Sequence, residues 1–301
     1  MTVIAIDRRE APGNRWKAIN TLGSGVVRFA RMSPLSAASA VFLAALLLVA
    51  VFAGQLAPYE PNYSDFAVAR QPPNAAHLLG TDQLGRDVLS RMVWGARVSL
   101  FVALSSVLLG DIIGFVWGVA SGYLGGRFDL LSQRLLDILM AFPGLILALL
   151  LMVAQGPGLH TVIVAIAVTR VPSATRVIRA QTISVNYSGF VEAARALGAT
   201  PVHIMRHHIA PQCVAPFIIV ATANIGGAIT AEASLSFLGV GIPPPDSTWG
   251  NMLGGILAEV FNPRWWLVVF PGAGLTLTVL AANLFGDGVR DFLDPILRRR
   301  A

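Results

Sequence analysis

Six stretches of this sequence are apolar for about 20 residues or come close to it, and this restricts the fold more than any other feature. A helix crosses the hydrocarbon of a bilayer only at that length, because every backbone N–H and C=O must find its partner inside the segment. The stretches are 35–57, entered after Ser33-Pro34 and left at Pro58; 98–122, interrupted by Asp111; 135–154; 161–178, with Arg170 and Pro172; 214–238, with Asn224 and Glu232; and 265–285. The expected fold is an all-α polytopic membrane protein of six transmembrane helices. Composition agrees: 55% of the 301 residues are hydrophobic and 13% are charged, against roughly 25% charged in a soluble domain.

The distribution of Lys and Arg sets the orientation. With the N-terminus in the cytoplasm, the inside segments 1–34, 122–134, 170–213 and 286–301 hold seventeen Lys and Arg, and the outside segments hold five: Arg70, Arg86, Arg91, Arg97 and Arg264. That is the positive-inside bias, with both termini cytoplasmic. Omitting the fourth span would export Arg298, Arg299 and Arg300, so six spans are preferred to five. The expected organisation is a cytoplasmic tail 1–34, a first transmembrane helix 35–57, an extracytoplasmic segment 58–97, a five-helix core 98–286 with a cytoplasmic loop 179–213, and a cytoplasmic tail 287–301. The first stretch follows a long basic tail and lacks a small-residue cleavage site, so it reads as an anchor and not as a removed signal peptide.

Several function classes are excluded by what is missing. The net charge of +6 lies in patches between apolar runs, which argues for membrane orientation and against a nucleic-acid partner. The only lysine, Lys17, follows Trp16, so no glycine-rich phosphate loop ending in G-K-[ST] exists and the chain is expected to bind no nucleotide or other cofactor itself. Cys213 is the sole cysteine, and His203, His207 and His208 lie among basic residues, a poor setting for a metal site. Neither H-E-x-x-H nor G-x-S-x-G occurs, so the chain is not expected to be an enzyme.

The longest cytoplasmic loop reads as two short helices. Ser188 is placed to cap the first, Glu192 sits in its first turn and Gly198 supplies a left-handed stop. Thr200 and Pro201 start the second, and Pro211 is expected to end it. Phe190, Ala193, Ala194 and Leu197 share a face by spacing, leaving Glu192 and Arg195 on others, and the small Ala193-Ala194 pair permits close approach of a partner. A helix lying at the lipid headgroups, with Arg176, Arg179 and Arg206 as contacts, has the same periodicity.

The order of residues adds to this. E-A-A, three residues, then glycine, with a proline at a fixed distance, resembles the loop signature of binding-protein-dependent ABC permeases; Glu192, Ala193, Ala194, Gly198 and Pro211 match, while Ala210 departs from the leucine that commonly precedes the proline. The strings L-L-G-T-D-Q-L-G-R-D-V-L-S-R at 78–91, D-I-L-M-A-F-P from Asp137, A-S-L-S-F-L-G-V-G-I-P-P-P from Ala233 and W-G-N-M-L from Trp249 resemble the DppC/OppC-type subunit of dipeptide, oligopeptide and nickel importers. The resemblance implies the type I ABC importer permease fold and a coupling helix in the loop. It implies partners as well: a second homologous permease, two ABC ATPase subunits that hold ATP and Mg, an extracytoplasmic peptide-binding protein, and membrane lipid. The site would be the inner membrane of a prokaryote and the cargo a dipeptide or oligopeptide, with nickel, glutathione or another small solute as the alternative.

Ionisable groups inside spans are costly and are functional candidates by default. Asp111 lies deepest, where it could line the pathway or pair with Arg170 or with the partner permease; Asp137 and Glu232, nearer the ends, are expected to be solvated or paired. A secondary transporter would show internal repeats and broken helices in matching positions, and no such repeat is visible.

Overall fold

The computed structural model describes residues 29–30, 33–255 and 264–293. The expected tails 1–34 and 287–301 lie largely outside these residues. The helices are α1 (Pro34–Val51), α2 (Ala53–Leu56), α3 (Val88–Leu124), α4 (Gly126–Ala141), α5 (Gly144–Gln155), α6 (Leu159–Asn186), α7 (Gly189–Ala196), α8 (Pro201–Ile204), α9 (Val214–Phe237), α10 (Trp249–Gly254) and α11 (Trp265–Leu293). Among the described residues, five segments are long and apolar enough to cross a membrane: α1, α3, α6, the continuous path Pro201–Phe237 and α11. The sixth exists only if α4 and α5 are taken as one span bent by 91°.

That bend breaks the expected third span, 135–154, at an elbow. Pro143 cannot continue a helix from α4, because its ring disfavours helical backbone at the preceding residue and it donates no N–H. Phe142 accordingly is extended, with φ −87° and ψ 136°. The helix before it reaches back to Gly126 and buries only Ser132 and Leu136. The second span is also longer than expected, beginning at Val88 and not at 98, since Asp87 caps it by accepting a 2.8 Å hydrogen bond from the Ser90 N–H. Much of the segment 58–97 is therefore a folded loop followed by helix. Thr81 pairs with Asp87 in an isolated β-bridge.

The centre of the bundle is a seam between α3 and α6. Gly110, Gly114, Gly118 and Gly122 fall one turn apart on α3, and at each a Cβ would stand 2.6–2.7 Å from Ala167 O, Ala174 Cβ, Thr175 O or Thr182 Cβ of α6. In lipid there is little hydrophobic force between helices, so association rests on such close packing. α5 and α9 complete the core around this pair, with Leu100, Val107, Met152, Ile166, Ile229 and Leu235 buried together. α1 is peripheral and buries only Ser36, Ser39 and Ala50; Ser36 packs against Gly288 of α11.

One end of the bundle is closed by the loop 58–87 and by α10. His77 Nδ1 lies 3.0 Å from Asp87, and Tyr59 packs on the His77 ring. Asp82 accepts from Arg86 at 2.7 Å, within a turn and not on a helix. Asp87 is occupied at the cap and does not pair with Arg91; Arg91 lies 3.7 Å from Asp82 and donates to Pro61 O. Trp249, buried on α10, lies against Gly95 and donates to Met92 O at 3.1 Å, and Trp266 donates to Thr81 O.

Candidate functional site

The opposite end carries α7 and α8, and its construction starts from two side chains that point inward. Val191 is fully buried and Ala194 nearly so, in a cluster with Val119, Ile178, Ile204, Ile209 and Cys213. The other side of α7 is open: Phe190 is 48% and Leu197 88% exposed, with Glu192, Ala193 and Arg195 also exposed. The expected single face of Phe190, Ala193, Ala194 and Leu197 is thus divided. Ala194 shares the inner stripe with Val191, three residues earlier, and only the other three face outward.

The ends of α7 are set by backbone. Ser188 stands at the cap position, but its hydroxyl donates to Val185 O at 2.6 Å instead of accepting from the helix. Gly198 has φ +82°, and its N–H donates to Arg195 O, so the helix ends in the left-handed turn that favours glycine. Thr200 accepts from the His203 N–H and Pro201 occupies the first position of α8, as expected. Pro211 does not end the second helix. Met205–Ile209 form a wide π turn and Ala210–Cys213 a 3₁₀ turn, which absorb the missing N–H and let the helical path run on into α9.

Polar contacts tie this end to the bundle. Arg195 donates to Asn186 and its guanidinium lies 5.5 Å from the Tyr123 ring centre, so it braces α7 against α6 and α3. Arg179 of α6 grips Asp129 of α4 with two nitrogens, and Ser121 donates to the same carboxylate. Arg176 reaches Asp137 at 2.6 Å, so Asp137 is paired as expected. His203 stacks on His207 at 4.3 Å, and no group of described residues has the composition of a metal site.

Of the intramembrane candidates, three meet where α3, α6 and α9 cross. Asp111, fully buried, accepts from Asn224 Nδ2 at 3.0 and 3.3 Å. Its hydrogen-bond partner is Asn224, not Arg170. The Arg170 guanidinium lies instead over Gly227, where a Cβ would come within 2.7 Å of it. Glu232 stands apart toward the α10 end, not solvated and, among the described residues, not paired with a cation; it is fully buried and accepts from the Ser236 hydroxyl at 2.8 Å. The residues that sequence reasoning missed are the glycines of the seam. The signal was present as G-x-x-x-G repeated from Gly110 to Gly122, a pattern that lets membrane helices approach closely.

Comparison with known proteins places this architecture. Residues 114–299 match the model of the binding-protein-dependent transport system inner membrane component, and residues 21–73 match that of the N-terminal transmembrane domain of oligopeptide transport permease C. A protein of Escherichia coli K12 named as a probable D,D-dipeptide transport system permease protein, DdpC, is 39% identical over 91% of this chain and 91% of its own length. The glutathione transport system permease protein GsiD of an Escherichia coli strain is 40% identical over 89% and 88%. An inward-facing crystal form of the MetNI methionine ABC transporter matches 68% of this chain and 96% of its own with a TM-score of 0.55 at 20% identity, a likeness of fold. Helices packed in that fold, with sequence agreement over most of their length, make this chain a member of the binding-protein-dependent transport system inner membrane components, the multi-pass permease subunits of ABC importers.

Proposed function

We propose that this permease forms half of the pathway of a peptide importer in the cytoplasmic membrane, driven by ATPase subunits that dock on α7. The observation that carries the docking assignment is the divided face of α7: Val191 and Ala194 lock it to the bundle while Phe190 and Leu197 project outward. A helix held this way transmits a push to α6 and α9 and does not slide over the surface. Glu192, Ala193 and Gly198 shape the contact and its end, Arg195 braces it, and Pro211 lies on the path by which the push reaches α9.

The excess of Arg at the α7 end supports a cytoplasmic position for that end and for both termini. The loop 58–87 and α10 then face outward, toward an extracytoplasmic binding protein. A homologous permease completes the pathway, and ATP and Mg belong to two ATPase partners. The cargo is a dipeptide or short oligopeptide, in keeping with relatives named for D,D-dipeptide and glutathione transport. The glutathione relative favours a second reading in which the cargo is that tripeptide or another small solute.

A cysteine placed at Leu197 tests the docking. It is expected to cross-link to the ATPase subunit in membranes and to do so differently with and without ATP. Absence of cross-linking together with normal uptake after Phe190→Ala and Leu197→Ser overturns the assignment. The ligand that co-purifies with the cognate binding protein decides between peptide and another solute.

A further inference from the structure

Among the described residues, two carboxyl groups are fully buried in the membrane helices, and their surroundings differ. Asp111 accepts from an amide and has the Arg170 guanidinium in its neighbourhood. Among the described residues Glu232 has no charged partner; the polar groups beside it are the hydroxyls of Ser236, Ser99 and Thr248. Ser236 donates to Glu232 Oε1, whereas Glu232 Oε2 and Ser99 Oγ are both buried and neither meets a partner in hydrogen-bond geometry. Ser247 Oγ, next to the Thr248 cap of α10, is buried and unpartnered as well.

We propose that Glu232 is held as a neutral carboxylic acid whose proton on Oε2 is donated to the hydroxyl cluster of Ser99 and Thr248, making it the clamp that positions the end of α9 against α3 and the cap of α10. An ionised carboxylate out of water with one hydrogen bond and no cation is strongly disfavoured. A neutral acid supplies the missing donor and keeps Oε1 as acceptor for Ser236. The clamp sits under α10, whose neighbour Gly255 accepts from Gln83 of the loop 58–87 at 2.7 Å. It therefore fixes the element that closes this end of the bundle. Glu232 acts through these neighbours and is a positioning residue, with no contact to cargo required.

The test is infrared spectroscopy of the full chain, assembled with its partner subunits, comparing wild type with Glu232→Gln. A protonated-carboxyl carbonyl band is expected in wild type, absent from the variant and unchanged between mildly acidic and mildly alkaline media. Because this readout involves no transport, its failure is separable from failure of the peptide assignment. Uptake is expected to stay within about twofold in Glu232→Gln, which keeps a donor and an acceptor, and to fall by about tenfold or more in Glu232→Ala. A carboxylate signature in wild type, or a Glu232→Gln protein that folds and assembles but has lost uptake, overturns the proposal; restoration by added sodium or potassium would assign a cation to the site in place of the proton.

Discussion

Along the seam of α3 and α6, every fourth residue from Gly110 to Gly122 lacks a side chain so that two backbones meet; on α7 and at its C-terminal end, Phe190 and Leu197 leave large apolar groups exposed. The seam has used its surface completely and leaves no room for a methyl group. The α7 face is left open. Stability and transmission of force are thus assigned to different stretches of one polypeptide, and substitutions should separate them.

The strongest way to break this contrast is at the seam. Gly114→Leu or Gly118→Leu is expected to cost about 3 kcal/mol or more, because even the Cβ collides with backbone or Cβ atoms of α6. The chain should fail to accumulate in the membrane; normal accumulation and melting temperature would refute the seam as the core of the fold. Next in size is the pair Phe190→Ala with Leu197→Ser. Thermal stability is expected to change by less than about 0.5 kcal/mol, while association with the ATPase falls about tenfold, equivalent to about 1.4 kcal/mol. A matching loss of stability would mean that α7 belongs to the core after all.

Gly198→Ala sharpens the comparison, since nothing lies within 4 Å of a Cβ there and only the φ of +82° opposes the change. The expected cost is about 1 kcal/mol, read as faster amide exchange in α7 alone, with Gly198→Asn losing less. The smallest effect is expected at Asp129 and Arg179. Both are partly exposed, so a double-mutant cycle should give a coupling of about 1 kcal/mol or less that weakens with added salt.

Helix identity was legible in the sequence wherever a long apolar run was available, as in α1, α9 and α11. What local reading missed was competition between neighbouring signals. Asp87 and Thr81 are both capable caps, and Asp87 wins because Thr81 is drawn into the loop 58–87, a long-range arrangement that spacing does not reveal. Pro143 and Pro211 look alike in sequence but act in opposite ways. Phe142 becomes extended before Pro143 and the chain turns sharply, whereas Pro211 sits where a widened turn already spares its N–H. At the candidate site, Gly198, Thr200 and Pro201 act locally and were readable from type alone. The inward turn of Ala194 was not, because it depends on Ile178 and Ile204 arriving from other helices.

The elbow between α4 and α5 has a consequence for how the chain enters the bilayer. At twelve residues, α5 is about 18 Å long, well short of the roughly 30 Å of hydrocarbon. Such a segment is a weak substrate for insertion as a single unit, while α6, joined to it through Gly156 and Gly158, is long but carries Arg170. Each compensates for the defect of the other if they are released sideways together as a hairpin.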